Sequence, residues 1–431
     1  MSSSSPAIEV VLPPVTYSTG SYVEGEVHLN FRNLQQDKFE NIWVTLKGRV
    51  QAYVDEEERK SITLVDFGRV LWTHGAEYPP PDSDVLRLFF RFRLPNDIPP
   101  SYYHHTIRSG GTCAVLYSLT TVGVRPGWSG IRKIHNPLVV LPRVDLGPLR
   151  ALSSAELQWR TVHEEKKVWK GLRGNEGSVR VELSIPDIAM LPLFTLIPYK
   201  IEVTTNTAPA TRRSNGDPGN TQIFPSPPTN AAAMILELVR RTNVSVERRD
   251  TTLKSTAAYF LGPGVRAPEP VIVDVAEKEW VVTQAADART KTKEKGVWVQ
   301  STQFSSRFVL DVPPTFSLGD PGRLKVECEY RLKLCVPFEG LGNDVKVEMP
   351  VTVVSGVDIS IRHKRHRPIQ REWDPPEALS LRSRSPQGAT AIMSEREVVL
   401  SPEYWEVHTD AEWREFGKSI QAPGTTTVTP A

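Results

Sequence analysis

Period-two alternation of apolar and polar side chains runs through this chain in stretches too regular for loops and at the wrong interval for helices. Val23, Gly25, Val27, Leu29 and Phe31 fall on one side, while Glu24, Glu26, His28 and Asn30 fall on the other. Successive side chains of a strand point to opposite faces, so this is how a strand with one wet side reads. Ile42, Val44, Leu46, Gly48 and Val50 repeat the pattern against Trp43, Thr45, Lys47 and Arg49. Leu86, Leu88, Phe90, Phe92 and Leu94 do so against Arg87, Arg91 and Arg93, with Phe89 as the one exception. Such strands belong to antiparallel sheets packed into a sandwich.

The second half carries the same signal. Leu324, Val326, Cys328, Tyr330, Leu332 and Leu334 alternate with Lys325, Glu327, Glu329, Arg331 and Lys333, and Val345 to Val353 alternate in turn. Gly340-Leu341-Gly342-Asn343-Asp344 between them predicts a hairpin. Pro350 lacks a backbone N–H, which assigns the last of these strands to a sheet edge.

A proline-led motif occurs once in each half with the same grammar. Phe92 leads to Pro99-Pro100-Ser101-Tyr102 and then to Tyr117-Ser118-Leu119; Phe308 leads to Pro313-Pro314-Thr315-Phe316 and then to Tyr330-Arg331-Leu332. Recurrence over so wide an interval suggests two related domains and not a short-period solenoid. At 431 residues, with 39% hydrophobic residues, the chain has material for two cores and a polar margin.

Lys plus Arg number 52 and Asp plus Glu 50, so the whole molecule has no field that would draw in nucleic acid; an electrostatic partner has to be met locally. Three cysteines, Cys113, Cys328 and Cys335, spread over both halves cannot build a disulfide framework and favour a reducing compartment. The opening Met1-Ser2-Ser3-Ser4-Ser5-Pro6 has no basic segment followed by an apolar one, and no run is apolar for long enough to span a bilayer. The expectation is a cytoplasmic protein recruited transiently to the plasma membrane or endosomes.

The expected layout is a short disordered start over 1–7, one domain over 8–145, a connector over 146–177 and a second domain over 178–357. Ser153-Ser154-Ala155-Glu156 is a candidate capping box for a short helix in the connector. A flexible loop rich in Pro, Asn, Gly, Ser and Thr is expected over 205–230, and Ala231 to Leu238 is read as strand. A tail rich in Ser, Pro and Glu, expected to be mostly disordered, covers 358–431.

Tyr17 to Leu29 followed by Val44-Thr45-Leu46-Lys47-Gly48-Arg49 resembles the opening strands of the arrestin fold. Phe92 to Ser101, with Tyr117-Ser118-Leu119 and Val124-Arg125-Pro126, is similar to that family's Leu-Pro-Pro-Ser-Phe region and the Tyr-x-Leu strand after it. Val179 to Pro186, Tyr199 to Asn206 and Arg307 to Val353 look like strands of the C-terminal arrestin domain. The resemblance spans Ile8 to Val357 and is nearest to the α-arrestins. It implies an all-β protein of two arrestin-like, immunoglobulin-type β-sandwich domains, with the opening strands together in the first sheet of the N-terminal domain. It also implies a non-catalytic adaptor linking membrane transporter or receptor tails to a HECT-type ubiquitin ligase and endocytic trafficking. The alternative is an arrestin-fold interaction scaffold in signalling with no ubiquitin connection. No buried Asp/Arg phosphate-sensing network is assignable from the sequence, and no cofactor is implied.

Pro99, Pro100 and Tyr102 spell Pro-Pro-x-Tyr, which WW domains read as an extended proline pair with a tyrosine. Their place on a sandwich turn favours a structural reading over docking, with Tyr102 packing as the equivalent of Phe316. The basic run holding Arg362, Lys364, Arg365 and Arg367 is a candidate contact for anionic lipid. Trp405, Trp413 and Phe416 share one face of a candidate recognition helix begun by Ser401-Pro402. Gly-rich phosphate loops, Gly-x-Ser-x-Gly and His-Glu-x-x-His are all missing, so no enzyme class is favoured. His104 and His105, adjacent on a strand, point to opposite faces and cannot easily share a metal ion.

Overall fold

The computed structural model describes residues 6–357 except 55–57, 107–110, 127–130, 146, 148–156, 172–175, 212–223, 248, 286–293 and 321–323. Strands dominate, with one helix, Phe31–Gln36, among the described residues and a 3-10 turn at Ala231–Ala233. The first lobe packs a three-stranded sheet of Ile8–Val11, Tyr22–Asn30 and Val85–Arg93 against a five-stranded one. That second sheet orders Glu58–Thr73, Asn41–Val54, Thr112–Val124 and Tyr102–His105, with Ile131–Leu138 also on Thr112–Val124. All of these ladders are antiparallel. The apolar side of each alternating strand faces inward: Val23, Val27, Leu29, Ile42, Val44 and Leu46 are all fully buried.

The two opening strands do not share a sheet. Tyr22–Asn30 pairs with Val85–Arg93, whereas Asn41–Val54 pairs with Glu58–Thr73 and Thr112–Val124. Helix Phe31–Gln36 carries the chain from one layer to the other. Its first turn is capped by the Asn30 side chain, which accepts from the Asn33 N–H at 3.3 Å, and it buries Phe31 and Leu34. The expectation of a single first sheet is thus corrected by a crossing that repetitive alternation cannot reveal.

The second lobe repeats the plan. One sheet runs Trp159–Trp169, Glu176–Pro186, Ile197–Asn206 and Lys295–Phe308, with Ala210–Thr211, Ile272–Val275 and Glu279–Gln284 also on Lys295–Phe308. The other runs Arg249–Leu261, Ile235–Val246, Leu324–Val336 and Phe316–Asp320, with Val345–Val351 at its edge on Leu324–Val336. Pro350 sits opposite Arg331 on that edge strand, and the 340–344 turn closes the hairpin as expected.

Three boundaries differ from the sequence reading. The stretch read as connector holds a strand, Trp159–Trp169, paired along its whole length with Glu176–Pro186. It is an outer strand with most side chains in water, so its charged run His163 to Lys167 hides the alternation. The candidate capping box over 153–156 lies outside the described residues. The three alanines at 231–233 form a turn capped by Asn230, and the strand begins at Ile235. In the segment read as a loop, Thr205 and Asn206 end a strand and Ala210–Thr211 pairs with Gly296 and Lys295; 212–223 lies outside the described residues.

Candidate functional site: the twin corners and the joint between the lobes

Both Pro-Pro motifs turn the chain in the same way. In the first, the Ser101 N–H donates to the Val140 carbonyl at 2.8 Å, and the Val140 N–H returns a bond to Ser101 Oγ at 2.9 Å. In the second, the Thr315 N–H donates to the Val353 carbonyl at 2.9 Å, and the Val353 N–H bonds Thr315 Oγ1 at 2.9 Å. A fully buried tyrosine then secures each corner: the Tyr117 hydroxyl donates to Pro99 O and the Tyr330 hydroxyl to Pro313 O, both at 2.8 Å. Each proline pair removes two N–H groups, and the hydroxyl-bearing residue after it supplies the anchoring bonds. Matching short parallel pairs flank the corners, Tyr17–Ser18 with Val140–Leu141 and Leu191–Pro192 with Val353–Val354. Gly48 makes room for the first tyrosine, since a Cβ there would lie 2.6 Å from the Tyr117 ring.

The fourth residue of each motif is where the lobes meet. Tyr102 and Phe316 contact edge to face, with ring centroids 4.9 Å apart. Around them sits a buried polar cluster drawn from both lobes. The Tyr102 hydroxyl and His104 Nδ1 both reach Thr242 Oγ1, the latter at 2.6 Å, and His104 Nε2 lies 2.9 Å from Ser255 Oγ. Arg240 lies over the Tyr102 ring, 5.5 Å from its centroid, and donates to the Tyr103 carbonyl at 3.1 Å. Among the described residues it forms no ion pair, and its Nε has no hydrogen-bond partner. Gly111 comes so near Leu253 that a Cβ would meet its Cδ2 at 2.6 Å, and Lys60 pairs with Glu247 across the rim at 2.5 Å.

The electrostatics keep this joint uncharged apart from Arg240. Burial pushes the His104 imidazole down to about 3, helped by the positive charges of Arg240 and His105, so it is neutral with one ring nitrogen to donate and one to accept. Burial likewise raises the Tyr102 hydroxyl and the Cys113 thiol well above their usual ranges, and it raises the Cys328 thiol. A cleft of about 480 Å³ opens beside the joint, lined by Thr106, Glu237, Lys254, Ser255, Thr256 and Lys333. Burial pushes the Glu237 carboxyl up, but bonds from Lys333 at 2.8 Å and Thr256 at 2.7 Å outweigh it and hold the group below its usual value. Chemically the arrangement is a latch: hydroxyls, a neutral imidazole and one guanidinium tie two sandwiches together.

Pro99, Pro100 and Tyr102 therefore do not present a WW ligand. Tyr102 is 3% exposed, Pro100 is buried, and the Ser101 backbone and side chain are both bonded within the corner. A WW domain must clamp prolines and tyrosine from outside, which here would require opening the joint. The docking expectation is corrected on that ground, and the structural reading of the turn holds. His104 points into the joint and His105 outward, as their adjacency requires. Cys113 and Cys328 are buried and Cys335 is partly exposed. Arg362, Lys364, Arg365, Arg367, Trp405, Trp413 and Phe416 lie outside the described residues.

Sequence reasoning missed Arg240, Thr242 and Ser255. The available signal was parity: Arg240 and Thr242 occupy positions in step with buried Leu238, Val244 and Val246, where polar groups need partners. No family model matches the chain, and no curated protein matches it. Among the described residues, no helix is long and apolar enough to cross a membrane.

Proposed function

We propose that the chain is a non-catalytic, arrestin-like adaptor that links membrane-protein cargo to ubiquitination and endocytic trafficking, working from the cytoplasm at the plasma membrane or endosomes. The observation that carries this reading is the pair of like corners, Pro99 to Tyr102 and Pro313 to Phe316, each locked by a buried tyrosine and fused at Tyr102 and Phe316. Two related sandwiches latched in this manner offer wide sheet surfaces suited to holding other proteins. The resemblance of their strands to α-arrestins supplies the cargo and the HECT-type ligase. The Arg362 to Arg367 run supports contact with anionic membrane, and the Trp405 to Phe416 segment supports a further partner.

A second reading has one observation in its favour. The sole Pro-Pro-x-Tyr of the sequence ends in a tyrosine 3% exposed, which favours an interaction scaffold with no ubiquitin connection. Proximity labelling with the full chain in cells separates the two. The adaptor reading expects membrane transporters or receptors together with a HECT ligase, and slower cargo ubiquitination when the chain is removed. Cargo labelled without any ligase, and with unchanged ubiquitination, leaves the scaffold.

A further inference from the structure

We propose that strand Val85–Arg93 is the docking edge for an extended acidic peptide segment, gripped by Arg87, Arg91 and Arg93 around Phe89. This strand is the outer member of its three-stranded sheet, and among the described residues its only ladder partner is Tyr22–Asn30. Strict alternation buries Leu86, Leu88, Phe90 and Phe92 and turns Arg87, Phe89, Arg91 and Arg93 to solvent in one row. Phe89 is 72% exposed at the centre of that row, where a large apolar ring is costly to leave in water.

The charges of the face are arranged to leave two arginines unspent. Glu24 is held by Arg91 at 2.5 Å, and that guanidinium also stacks 3.6 Å from the Tyr22 ring centroid. Glu26 is engaged by His28 at 2.7 Å. No carboxylate pairs with Arg87 or Arg93 among the described residues. Positive charge gathers further at the Arg93 end: Arg143, fixed through Nε to Ser18 Oγ at 3.0 Å, is lowered by burial and then by the charge of Arg93.

An unpaired strand edge recognises another extended chain through its backbone, and alternate side chains then supply specificity. A segment added beside Val85–Arg93 places every second side chain over the arginine row, with opposite charges directly across from one another. The pattern fitted is acidic residues opposite Arg87 and Arg93 with an apolar or aromatic residue opposite Phe89. Guanidinium groups favour carboxylates in such geometry because they donate in a fixed fork. The inference rests on the adaptor reading only for the source of the peptide, a cytosolic segment of membrane-protein cargo.

The test uses the full chain and a fluorescein-labelled peptide of alternating glutamate and threonine with one central phenylalanine, read by anisotropy. The expected result is saturable binding that weakens about tenfold in R87E/R93E and severalfold in F89A, and that fades as added salt shortens the screening length. A matching peptide of alternating lysine should bind R87E/R93E better than wild type. These side chains are exposed, so an unchanged melting temperature certifies each variant. Absence of binding to the wild-type chain, binding indifferent to both variants, or a response to phosphatidylserine vesicles but not to peptide overturns the proposal. If R87E/R93E loses the peptide while still capturing membrane cargo in cells, this edge is not the cargo site but the adaptor reading stands. Peptide binding with no cargo in cells removes the adaptor reading and leaves the docking edge.

Discussion

Tyr102→Ala is expected to lower the unfolding free energy by about 3–5 kcal/mol, as truncation of a buried aromatic ring does when its surroundings cannot collapse. The ring is 3% exposed and fills the space between Phe316, His104 and Arg240. Its loss opens a cavity at the seam of two sandwiches, where filling it would need one lobe to move against the other. The hydroxyl matters less. Tyr102→Phe keeps the ring and its contact with Phe316, while Thr242 retains His104 as a partner, so a cost of about 1 kcal/mol is expected. Urea unfolding of both variants measures the difference. An alanine variant that costs no more than the phenylalanine variant would mean that the corner residue does not hold the lobes together.

Acid should weaken the protein well above the pH at which carboxylates protonate. The His104 imidazole falls from its ordinary 6.5 to about 3 in the folded chain, through burial first and then the charges of Arg240 and His105. In the unfolded chain it takes up a proton as the pH drops through about 6.5, and in the folded chain it does not until about 3. The unfolded state therefore binds more protons over this window. Stability is complete above 6.5 and is lost as pH falls, by about 1.4 kcal/mol for each unit. His135, lowered by burial and by Lys133 and Arg49, adds in the same direction. Glu237 adds only below its usual value of 4.5. Between pH 6.5 and 4.5 the His104 share amounts to ~2 kcal/mol, visible as a steeper fall of wild type than of His104→Gln. Parallel curves for the two proteins would show that His104 titrates normally in the fold.

The features most readable in advance were those that repeat. Alternation in Tyr22–Asn30, Asn41–Val54, Val85–Arg93 and Leu324–Val336 marks strands because one face of each is buried by a sandwich, and the burial follows residue by residue. The twin proline corners were equally plain, because a proline pair and a hydroxyl residue restrict the backbone wherever they occur. What could not be read was how strands are shared between layers. Helix Phe31–Gln36 moves the chain from one sheet to another within six residues, and Trp159–Trp169 looks like a connector because its side chains are mostly wet. The joint was hidden for a different reason. Tyr102 and Thr242 are 140 residues apart, and a threonine at a buried parity announces that it needs a partner without naming one.

The same contrast governs the candidate sites. Pro99-Pro100-Ser101-Tyr102 is a complete ligand motif in letters, yet its tyrosine ring is spent inside the molecule, against Phe316. Arg87, Phe89, Arg91 and Arg93 had appeared only as the wet face of a strand, with Phe89 out of pattern. Its exposure, beside two arginines that no carboxylate answers among the described residues, turns that irregularity into the centre of a candidate docking edge.

The two corners, alike in sequence, are joined to one another so that both sandwiches are held as one body. A double-mutant cycle on Tyr102 and Phe316, with each changed to leucine singly and together, tests it most directly by urea unfolding. A coupling of about 0.5–1.5 kcal/mol between the two positions is expected, as for an edge-to-face aromatic pair in contact. Strictly additive losses would place the two rings in separate, uncoupled lobes and contradict it.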